Sequence, residues 1–192
     1  MCKTLKASCI LALDESNGIG FYNEVDDTFT IPWKHAEDMK FFRETTKGSI
    51  VIMGKNTFLS LGCKPLPKRL NIVVSSSLKQ KDHPYTNIVS SWKQAHQLCE
   101  THMKETGFCN QEIFIIGGTS LYRNALNEKC LPFQIKRWFV TRIPGDYMCN
   151  VVFHDIEQLF DSDHYNIVEK ISLFDKNNNQ TTTVSVFESS CK

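Results

Sequence analysis

Short apolar runs recur along the chain, and longer segments of mixed polarity separate them. Five runs of four to seven mostly apolar residues have the length and composition of strands buried on both faces of a sheet. They cover residues 7–13, 49–53, 70–74, 113–116 and 138–141. We predict that each run is a strand of one central sheet.

The intervening segments repeat apolar residues at the spacing of an amphipathic helix. Helices are predicted over residues 35–45, 57–61, 92–104 and 120–125. Because strands and helices alternate, the sheet is expected to be largely parallel and covered by helices on both faces. The fold class is therefore α/β.

The C-terminal part departs from this alternation. Residues 167–174 and 181–187 are rich in β-formers, and the polar stretch 175–179 (Asp-Lys-Asn-Asn-Asn) between them is typical of a turn. This pattern predicts an antiparallel hairpin. Since no repeat or long linker divides the sequence, residues 1–192 are expected to form a single domain.

The charge pattern narrows the choice of partner. The 22 basic and 21 acidic residues leave a net charge of +1, and they form no long block of one sign. Nucleic acid and anionic membranes attract proteins with a concentrated basic surface. We therefore expect a small-molecule partner, with no nucleic acid and no membrane.

The eight cysteines show no pair with the two-residue gap of zinc knuckles or redox motifs, so no metal is expected. The N-terminal residues lack the apolar stretch of a secretion signal, and no later segment is apolar for the length of a membrane span. These features favour reduced thiols and a cytoplasmic location.

Asp38 is the first candidate for chemistry. Helical spacing places it beside Phe42 and next to Met39 on an apolar face. A carboxylate against apolar surface is poorly hydrated, so its pKa rises and it can take part in proton transfer near neutral pH. The first turn of a helix also favours acids through its dipole and free amides, so position alone leaves both interpretations open.

Glycine joins strand to helix at two places. Gly117-Gly118 follows one apolar run, and Gly54 follows another and precedes Lys55 and Thr57. Such junctions let backbone amides approach a phosphate at a helix N-terminus, and two of them suggest a ligand with several phosphates. The alternatives are a simple turn, a solvated lysine and a capping threonine, and the three-glycine dinucleotide fingerprint is absent.

Trp33 and Arg69 also have two interpretations each. Trp33 follows a proline at a helix start and either packs in the core or lines a pocket. Arg69 precedes a strand, where its planar guanidinium can hold a carboxylate through two parallel hydrogen bonds, although a single arginine is usually a surface charge.

Taken in chain order, these segments resemble the dihydrofolate reductase family over nearly the whole chain, and the ordered set is far more specific than any one motif. The matching stretches are Ile10-Leu11-Ala12-Leu13 with Asn17-Gly18-Ile19-Gly20, Ile31-Pro32-Trp33 with Asp38-Met39 and Phe41-Phe42, Val51-Ile52-Met53-Gly54-Lys55-Asn56-Thr57-Phe58, Pro65-Leu66-Pro67-Lys68-Arg69-Leu70-Asn71, Ile115-Ile116-Gly117-Gly118 with Leu121-Tyr122, and Val140-Thr141-Arg142-Ile143.

The resemblance implies an eight-stranded, mostly parallel sheet with flanking helices and an antiparallel C-terminal hairpin. It implies that NADPH reduces dihydrofolate to tetrahydrofolate for one-carbon metabolism and thymidylate synthesis, and that antifolate inhibitors bind. Asp38 then matches the family's pocket carboxylate, which promotes protonation of the substrate's imine nitrogen. Trp33 would position a water beside it, and Thr141 would hydrogen-bond it.

The same resemblance assigns the remaining site residues. Those expected to contact the substrate are Ile10, Leu11, Met39, Phe42, Leu61, Leu66, Arg69, Ile116 and Tyr122, with Arg69 on the glutamate carboxylate. Those expected to contact NADPH are Ala12, Ile19, Gly20, Gly54, Lys55, Asn56, Thr57, Ser75, Ser76, Gly117, Gly118, Thr119, Ser120 and Leu121. The glycine pair is expected to carry a cis peptide.

Three stretches differ from the family pattern. Residues 21–30 form a longer loop than is usual over the nicotinamide, which bears on closure. Asn150 begins the stretch Asn-Val-Val-Phe-His in place of Asp-Thr-x-Phe-Pro, so a hydrogen bond that often steadies that loop is in doubt. Ser75-Ser76-Ser77 lacks an arginine, so preference for NADPH over NADH depends on Lys55 and serine hydroxyls.

Alternatives stay open at this point. One is a related enzyme acting on another pterin or on a ribosylamino-pyrimidine, which Arg69 disfavours because only a folate has the glutamate tail. Another is a binding protein that has lost loop closure. The resemblance also leaves open whether the protein is a monomer or is fused to thymidylate synthase in the native gene.

Overall fold

The computed structural model describes residues 4–127, 131–161 and 164–190. The helices in these residues are α1 (Ala36–Thr45), α2 (Lys55–Ser60), α3 (Trp92–Thr106), α4 (Thr119–Leu126) and α5 (Gln158–Asp161). The strands are β1 (Leu5–Leu13), β2 (Gly18–Asn23), β3 (Thr28–Thr30), β4 (Ile50–Gly54), β5 (Leu70–Val74), β6 (Asn87–Val89), β7 (Ile113–Ile115), β8 (Phe133–Arg142), β9 (Val151–Val152), β10 (Tyr165–Phe174) and β11 (Gln180–Ser189).

Eight strands form one sheet in the order β10-β11-β8-β1-β7-β4-β5-β6. β4 pairs in parallel with β5 and β7, and β5 pairs in parallel with β6. β11 pairs antiparallel with β8 and with β10, which forms the C-terminal hairpin. The eight-stranded sheet of α/β class and the hairpin are therefore confirmed, with a mixed sheet.

Burial explains which sequence runs were recognisable as strands. All five residues of β4 are buried, as expected for an unbroken apolar run in a parallel sheet. β10 is mostly exposed at the edge of the sheet, and it was recognisable from its β-formers rather than from burial, since Ile167, Val168 and Phe174 are exposed. β6 has three residues and β9 has two. Neither was predicted, because a strand of two or three residues is too short to show a periodic pattern of apolar residues.

Contacts between Cα atoms group the chain into two compact units. The first contains the residues up to Ser8 together with Thr46–Ile135, and its fully buried side chains include Ile52, Phe58 and Ile72. The second contains Cys9–Thr45 and the residues from Lys136 onward, with Trp138 and Phe187 among its fully buried side chains. The single domain expected for residues 1–192 stays a prediction.

Residues 21–30, whose conformation the sequence left open, pair at their two ends as a hairpin. β2 pairs antiparallel with β3, and with β9 on its other side it completes a three-stranded sheet. Tyr22 stacks on Phe29 with ring centroids 4.5 Å apart, and its hydroxyl donates to Asp27 Oδ1 at 3.0 Å. This cross-strand aromatic pair explains the hairpin, since such pairs stabilise antiparallel strands.

Two further observations bear on the sequence analysis. None of the helices in the described ranges has the length and apolarity needed to cross a membrane. Free thiols are present at Cys63, Cys99, Cys109 and Cys149, and Cys9 is buried on β1. Cys2, Cys130 and Cys191 lie outside the described residues.

Candidate active site

Helix α1 has an unusual burial pattern in the second unit. Asp38 is its one buried residue, at 8% exposure, whereas Met39 is 55% exposed and Phe42 is partly exposed. A helix that only stabilises a fold buries its apolar side chains and leaves its acids in water. The inverted pattern on α1 is what a ligand pocket requires, because the ligand itself covers the apolar side chains when it binds.

The electrostatics of Asp38 follow from this burial. Loss of hydration raises the pKa of the carboxyl group, while the Thr141 hydroxyl and nearby His35 act in the opposite direction. The side chain of Thr141 on β8 is 1% exposed and hydrogen-bonds Asp38, as the sequence analysis expected. The Asp38 backbone N–H donates to His35 Nδ1 at 3.3 Å, which fixes the first turn of α1.

Trp33 precedes α1 and is buried, with 8% of its surface exposed. Its ring meets the ring of Tyr147 edge-on, with centroids 5.5 Å apart and planes at 62°. Tyr147 lies in the loop between β8 and β9 and was not singled out from the sequence. Trp33 is therefore packed in place by a residue distant in sequence, so its core and pocket interpretations are compatible.

The other predicted site residues of the second unit lie on β1, β2 and α1. Ile10 and Leu11 are buried on β1, at 4% and 7% exposure. The remaining three positions are partly or fully buried, and these are Ala12, Ile19 and Gly20.

The predicted phosphate-binding residues lie in the first unit, at one edge of its parallel strands. β7, β4 and β5 are parallel neighbours, so their carboxyl ends share that edge. Ligands of parallel sheets bind outside these ends. The tertiary structure thus gathers three separate sequence stretches, which are Gly54 to Thr57 at the end of β4, Ser75-Ser76 after β5, and Ile116 to Leu121 after β7.

The glycine pair closes this edge. The peptide between Gly117 and Gly118 is cis, as expected from the resemblance. The Gly54 N–H donates to the Gly117 carbonyl at 2.7 Å, which ties the ends of β4 and β7 together. A Cβ at Gly117 would lie 3.0 Å from Thr57 Oγ1 and 3.4 Å from the Tyr122 hydroxyl oxygen, so a side chain there would require these neighbours to shift.

Arg69 is oriented by neighbours of the first unit. Its Nη1 donates to Thr46 Oγ1 at 2.8 Å, and its Nε donates to the Pro67 carbonyl at 3.1 Å. Thr46 is fully buried, so these two hydrogen bonds hold the guanidinium against the protein. The other predicted substrate contacts of this unit are partly exposed at Leu61, Leu66 and Ile116, and buried at Tyr122.

Asn150 preserves a contact that its sequence context put in doubt. Its Oδ1 accepts from the Tyr22 N–H at 2.7 Å, and its Nδ2 donates to the Tyr22 carbonyl at 2.8 Å. An aspartate could make only the first of these two hydrogen bonds, because an ionised carboxylate has no donor. The loop-steadying hydrogen bond is therefore present, and the amide adds a second one.

Asp14 belongs to a buried network that sequence reasoning missed. It is fully buried at the end of β1 and accepts backbone hydrogen bonds from Ser16, Gly18 and Tyr147. Beside it, Arg142 Nη1 donates to Asn17 Oδ1 at 2.5 Å. An acid directly after an apolar strand and before Ser-Asn-Gly was the available signal, since such residues hydrogen-bond turn amides.

Comparison with known proteins agrees with the family resemblance found in the sequence. The family model described as "Dihydrofolate reductase" matches residues 6–189. Dihydrofolate reductases of Buchnera aphidicola and Schistosoma mansoni are both 32% identical to the chain, and the alignments cover 78% and 80% of this chain and 79% and 80% of theirs.

Two further relatives add detail. A bifunctional dihydrofolate reductase-thymidylate synthase of Paramecium tetraurelia is 32% identical over 145 residues, which is 75% of this chain and 27% of that protein. A dihydrofolate reductase from Enterococcus faecalis, solved with NADP(H) and RAB-propyl, superposes with a TM-score of 0.73 at 19% identity and covers 97% of both chains. That similarity shows the fold.

Proposed function

The chain belongs to the dihydrofolate reductase family, and on this premise we propose that Asp38 is the group that makes its substrate easier to reduce. The reaction is the reduction of dihydrofolate to tetrahydrofolate, and NADPH supplies the hydride. The observation that supports the role of Asp38 is the burial of this carboxylate on a helix whose apolar side chains remain exposed.

The edge formed by β4, β5 and β7 fits a dinucleotide. Gly117 offers backbone where a side chain would collide with Thr57, so the ligand can approach the main chain closely. Gly118 precedes α4, whose first amides are available to a phosphate. Lys55 is exposed at the start of α2, where its ammonium group can pair with the phosphate that distinguishes NADPH from NADH.

Asp38 acts through its charge. A cationic imine accepts hydride far more readily than a neutral one, so a carboxylate that faces the substrate lowers the barrier by favouring the protonated form. Its paired oxygens also fit an amino group beside a ring nitrogen, which orients the pterin. Thr141 hydrogen-bonds the carboxylate and steadies it, and the proposed role of the buried Trp33 is to position a water beside it.

Arg69 provides the specificity for a folate. Its hydrogen bonds to Thr46 and Pro67 hold the guanidinium in one orientation, which reduces the entropy lost when it binds the glutamate carboxylate. A pterin without that tail would gain nothing from this residue. This argument favours dihydrofolate over the smaller pterins and the ribosylamino-pyrimidine considered from the sequence.

The wider setting of the protein is also a proposal. A cytoplasmic location fits a small-molecule reductase with reduced thiols. The protein acts as a monomer, or as the reductase portion of a longer chain if the native gene continues into thymidylate synthase, as in the relative from Paramecium tetraurelia. Antifolate inhibitors are expected to compete with dihydrofolate for the Asp38 pocket.

Asp38→Asn tests the proposal. The substitution keeps the shape of the side chain but removes its charge, so kcat at neutral pH should fall by about 10²- to 10⁴-fold, the usual contribution of an acid–base group. NADPH oxidation with and without dihydrofolate measures the activity, and ligand fluorescence titration checks that binding persists. Glu37→Gln is the matched control, because it removes a less buried charge from the same helical turn.

The outcomes separate the candidate functions. An unchanged rate in Asp38→Asn would reject the assigned role. A wild-type protein that binds dihydrofolate and NADPH but never oxidises the cofactor would instead support the binding-protein alternative. Turnover of a pterin lacking the glutamate tail at the same kcat/KM as dihydrofolate would reject the assigned role of Arg69.

A further inference from the structure

Asp14 and Asp38 are the two buried carboxylates among the described residues, and the proposed mechanism uses only Asp38. Asp14 lies at the turn between β1 and β2. Its Oδ1 accepts from the N–H groups of Ser16 at 3.0 Å and Gly18 at 2.6 Å. Its Oδ2 accepts from the Tyr147 N–H at 3.2 Å. The two oxygens therefore bind two different segments of the chain.

The first segment leads into the proposed cofactor site. Gly18 begins β2 and is followed by Ile19 and Gly20, which are proposed to contact the nicotinamide end of NADPH. The turn itself is closed by the Asp14 N–H, which donates to the Gly18 carbonyl at 3.0 Å. Oδ1 thus fixes the start of the strand that carries these contacts.

The second segment leads to the proposed acid site. Tyr147, whose N–H is bound by Oδ2, places its ring edge-on against Trp33 at 5.5 Å. Trp33 is buried and precedes α1, the helix that carries Asp38. Oδ2 therefore determines the position of the residue that packs against Trp33.

The two segments are packed too closely to move independently. A Cβ at Gly18 would lie 2.3 Å from Cys149 Cβ and 2.7 Å from Asp14 Oδ2. The Cys149 thiol also hydrogen-bonds the Asp14 carboxylate, and the Glu15 N–H donates to the Gly145 carbonyl at 3.1 Å. A change at Asp14 must therefore affect both the Gly18–Gly20 segment and the loop that contains Tyr147.

We propose that Asp14 is a positioning residue for hydride transfer, because its two oxygens hold the Gly18–Gly20 strand and the Tyr147–Trp33 pair in one arrangement. The inference rests on the proposed function. It assigns Asp14 no contact with substrate or cofactor, and its effect passes through the backbone of Gly18 and Tyr147.

The ionisation of Asp14 agrees with this role. Burial acts to raise its pKa, but hydrogen bonds from Gly18, Tyr147, Cys149 and Ser16 outweigh it and leave the pKa below its usual value. The side chain is consequently an acceptor at both oxygens under ordinary conditions. Neither half of the arrangement depends on a protonated carboxyl group.

Asp14→Asn tests the contact to Tyr147 separately from the contacts to Ser16 and Gly18. If the amide keeps its oxygen toward Ser16 and Gly18, its NH₂ group faces the Tyr147 N–H, and two donors meet where a hydrogen bond existed. We expect the single-turnover rate of hydride transfer to fall by about 10- to 100-fold, as for other small misplacements of reacting groups. The dissociation constants of NADPH and dihydrofolate should change by less than about threefold, because no contacting residue is altered.

Two matched variants and one spectroscopic readout sharpen the test. Asp146→Asn is the control, because Asp146 is an exposed carboxylate of the same loop that accepts from Ser16 Oγ and the Met148 N–H. Tyr147→Leu removes the ring against Trp33 but keeps the backbone N–H. Fluorotryptophan labelling gives one ¹⁹F signal for each of the three tryptophans, and Trp33→Phe assigns the relevant one.

The expected result is a shifted Trp33 signal and a slower hydride step in Asp14→Asn and Tyr147→Leu, with neither change in Asp146→Asn. A wild-type hydride rate or an unmoved Trp33 signal in fully folded Asp14→Asn overturns the inference, as does a rate loss that merely tracks the unfolded fraction. Failure of the proposed function is distinguishable, since wild-type protein would then show no dihydrofolate-dependent hydride transfer while the ¹⁹F signals still report the coupling.

Discussion

Gly117 is a position where one methyl group should have a large and local effect. Its φ is +123°, a conformation that side-chain-bearing residues rarely adopt. A Cβ built there would lie 3.0 Å from Thr57 Oγ1, a contact tighter than ordinary packing allows. The adjacent Gly118 has φ −87° and would place its Cβ 3.5 Å from the same oxygen, which is ordinary contact.

The magnitude for Gly117→Ala follows from these two causes. An unfavourable backbone conformation costs ~1–3 kcal/mol. Relief of the close contact requires Thr57 to move, so we expect the free energy of unfolding to fall by ~2–4 kcal/mol in total. Gly118→Ala should lose less than about 1 kcal/mol, because it needs neither adjustment.

Urea denaturation followed by fluorescence measures both variants. NADPH binding should weaken in Gly117→Ala more than in Gly118→Ala, because the added methyl group lies at the strand edge proposed for the pyrophosphate. The double variant Thr57→Ala/Gly117→Ala removes the contact and keeps the backbone strain, so it should recover part of the stability. Equal stability of the two single variants would refute the reasoning.

The remaining predictions concern two charged side chains. Arg69→Leu should raise the Michaelis constant for dihydrofolate by at least about tenfold with a smaller change in kcat, since a hydrogen bond to a charged group contributes ~1.5–3 kcal/mol. Lys64 is an exposed basic residue nearby in the sequence, and Lys64→Leu should change neither the Michaelis constant nor kcat. Asp38→Asn should also be more stable than the wild type at neutral pH. Burial raises the folded-state pKa of Asp38 above its ordinary value of 3.8, so between these two pKa values the native state binds more protons than the unfolded state. The free energy of unfolding of the wild type therefore falls as the pH rises from the unfolded-state pKa through the folded-state pKa. The stability difference between the two proteins, measured in urea from about pH 8 to about pH 4, should therefore shrink as the pH falls, and a constant difference would contradict the burial argument.

Apolar runs located the central strands because a strand buried on both faces must be apolar along its whole length. β5 was predicted with its observed bounds, and β4 and β7 within one residue at each end. The amphipathic segments located α1 to α4 for the corresponding reason. The hairpin within residues 21–30 was not predicted, because its pairing depends on a contact between Tyr22 and Phe29 across a turn.

The sequence by itself determined which residue types were available for chemistry: a carboxylate among apolar side chains on α1, glycines at two strand ends, and an arginine before β5. Periodicity sufficed for these features, because each depends on residues a few positions apart.

Only the tertiary structure decided which distant residues meet. Parallel pairing of β7, β4 and β5 brought three stretches to one edge, and Asp14 came to bind Tyr147, which lies 133 positions away. A sequence pattern reports local burial, whereas such contacts arise from packing between segments that share no periodicity. That difference is why Asp38 was visible at the start and Asp14 was not.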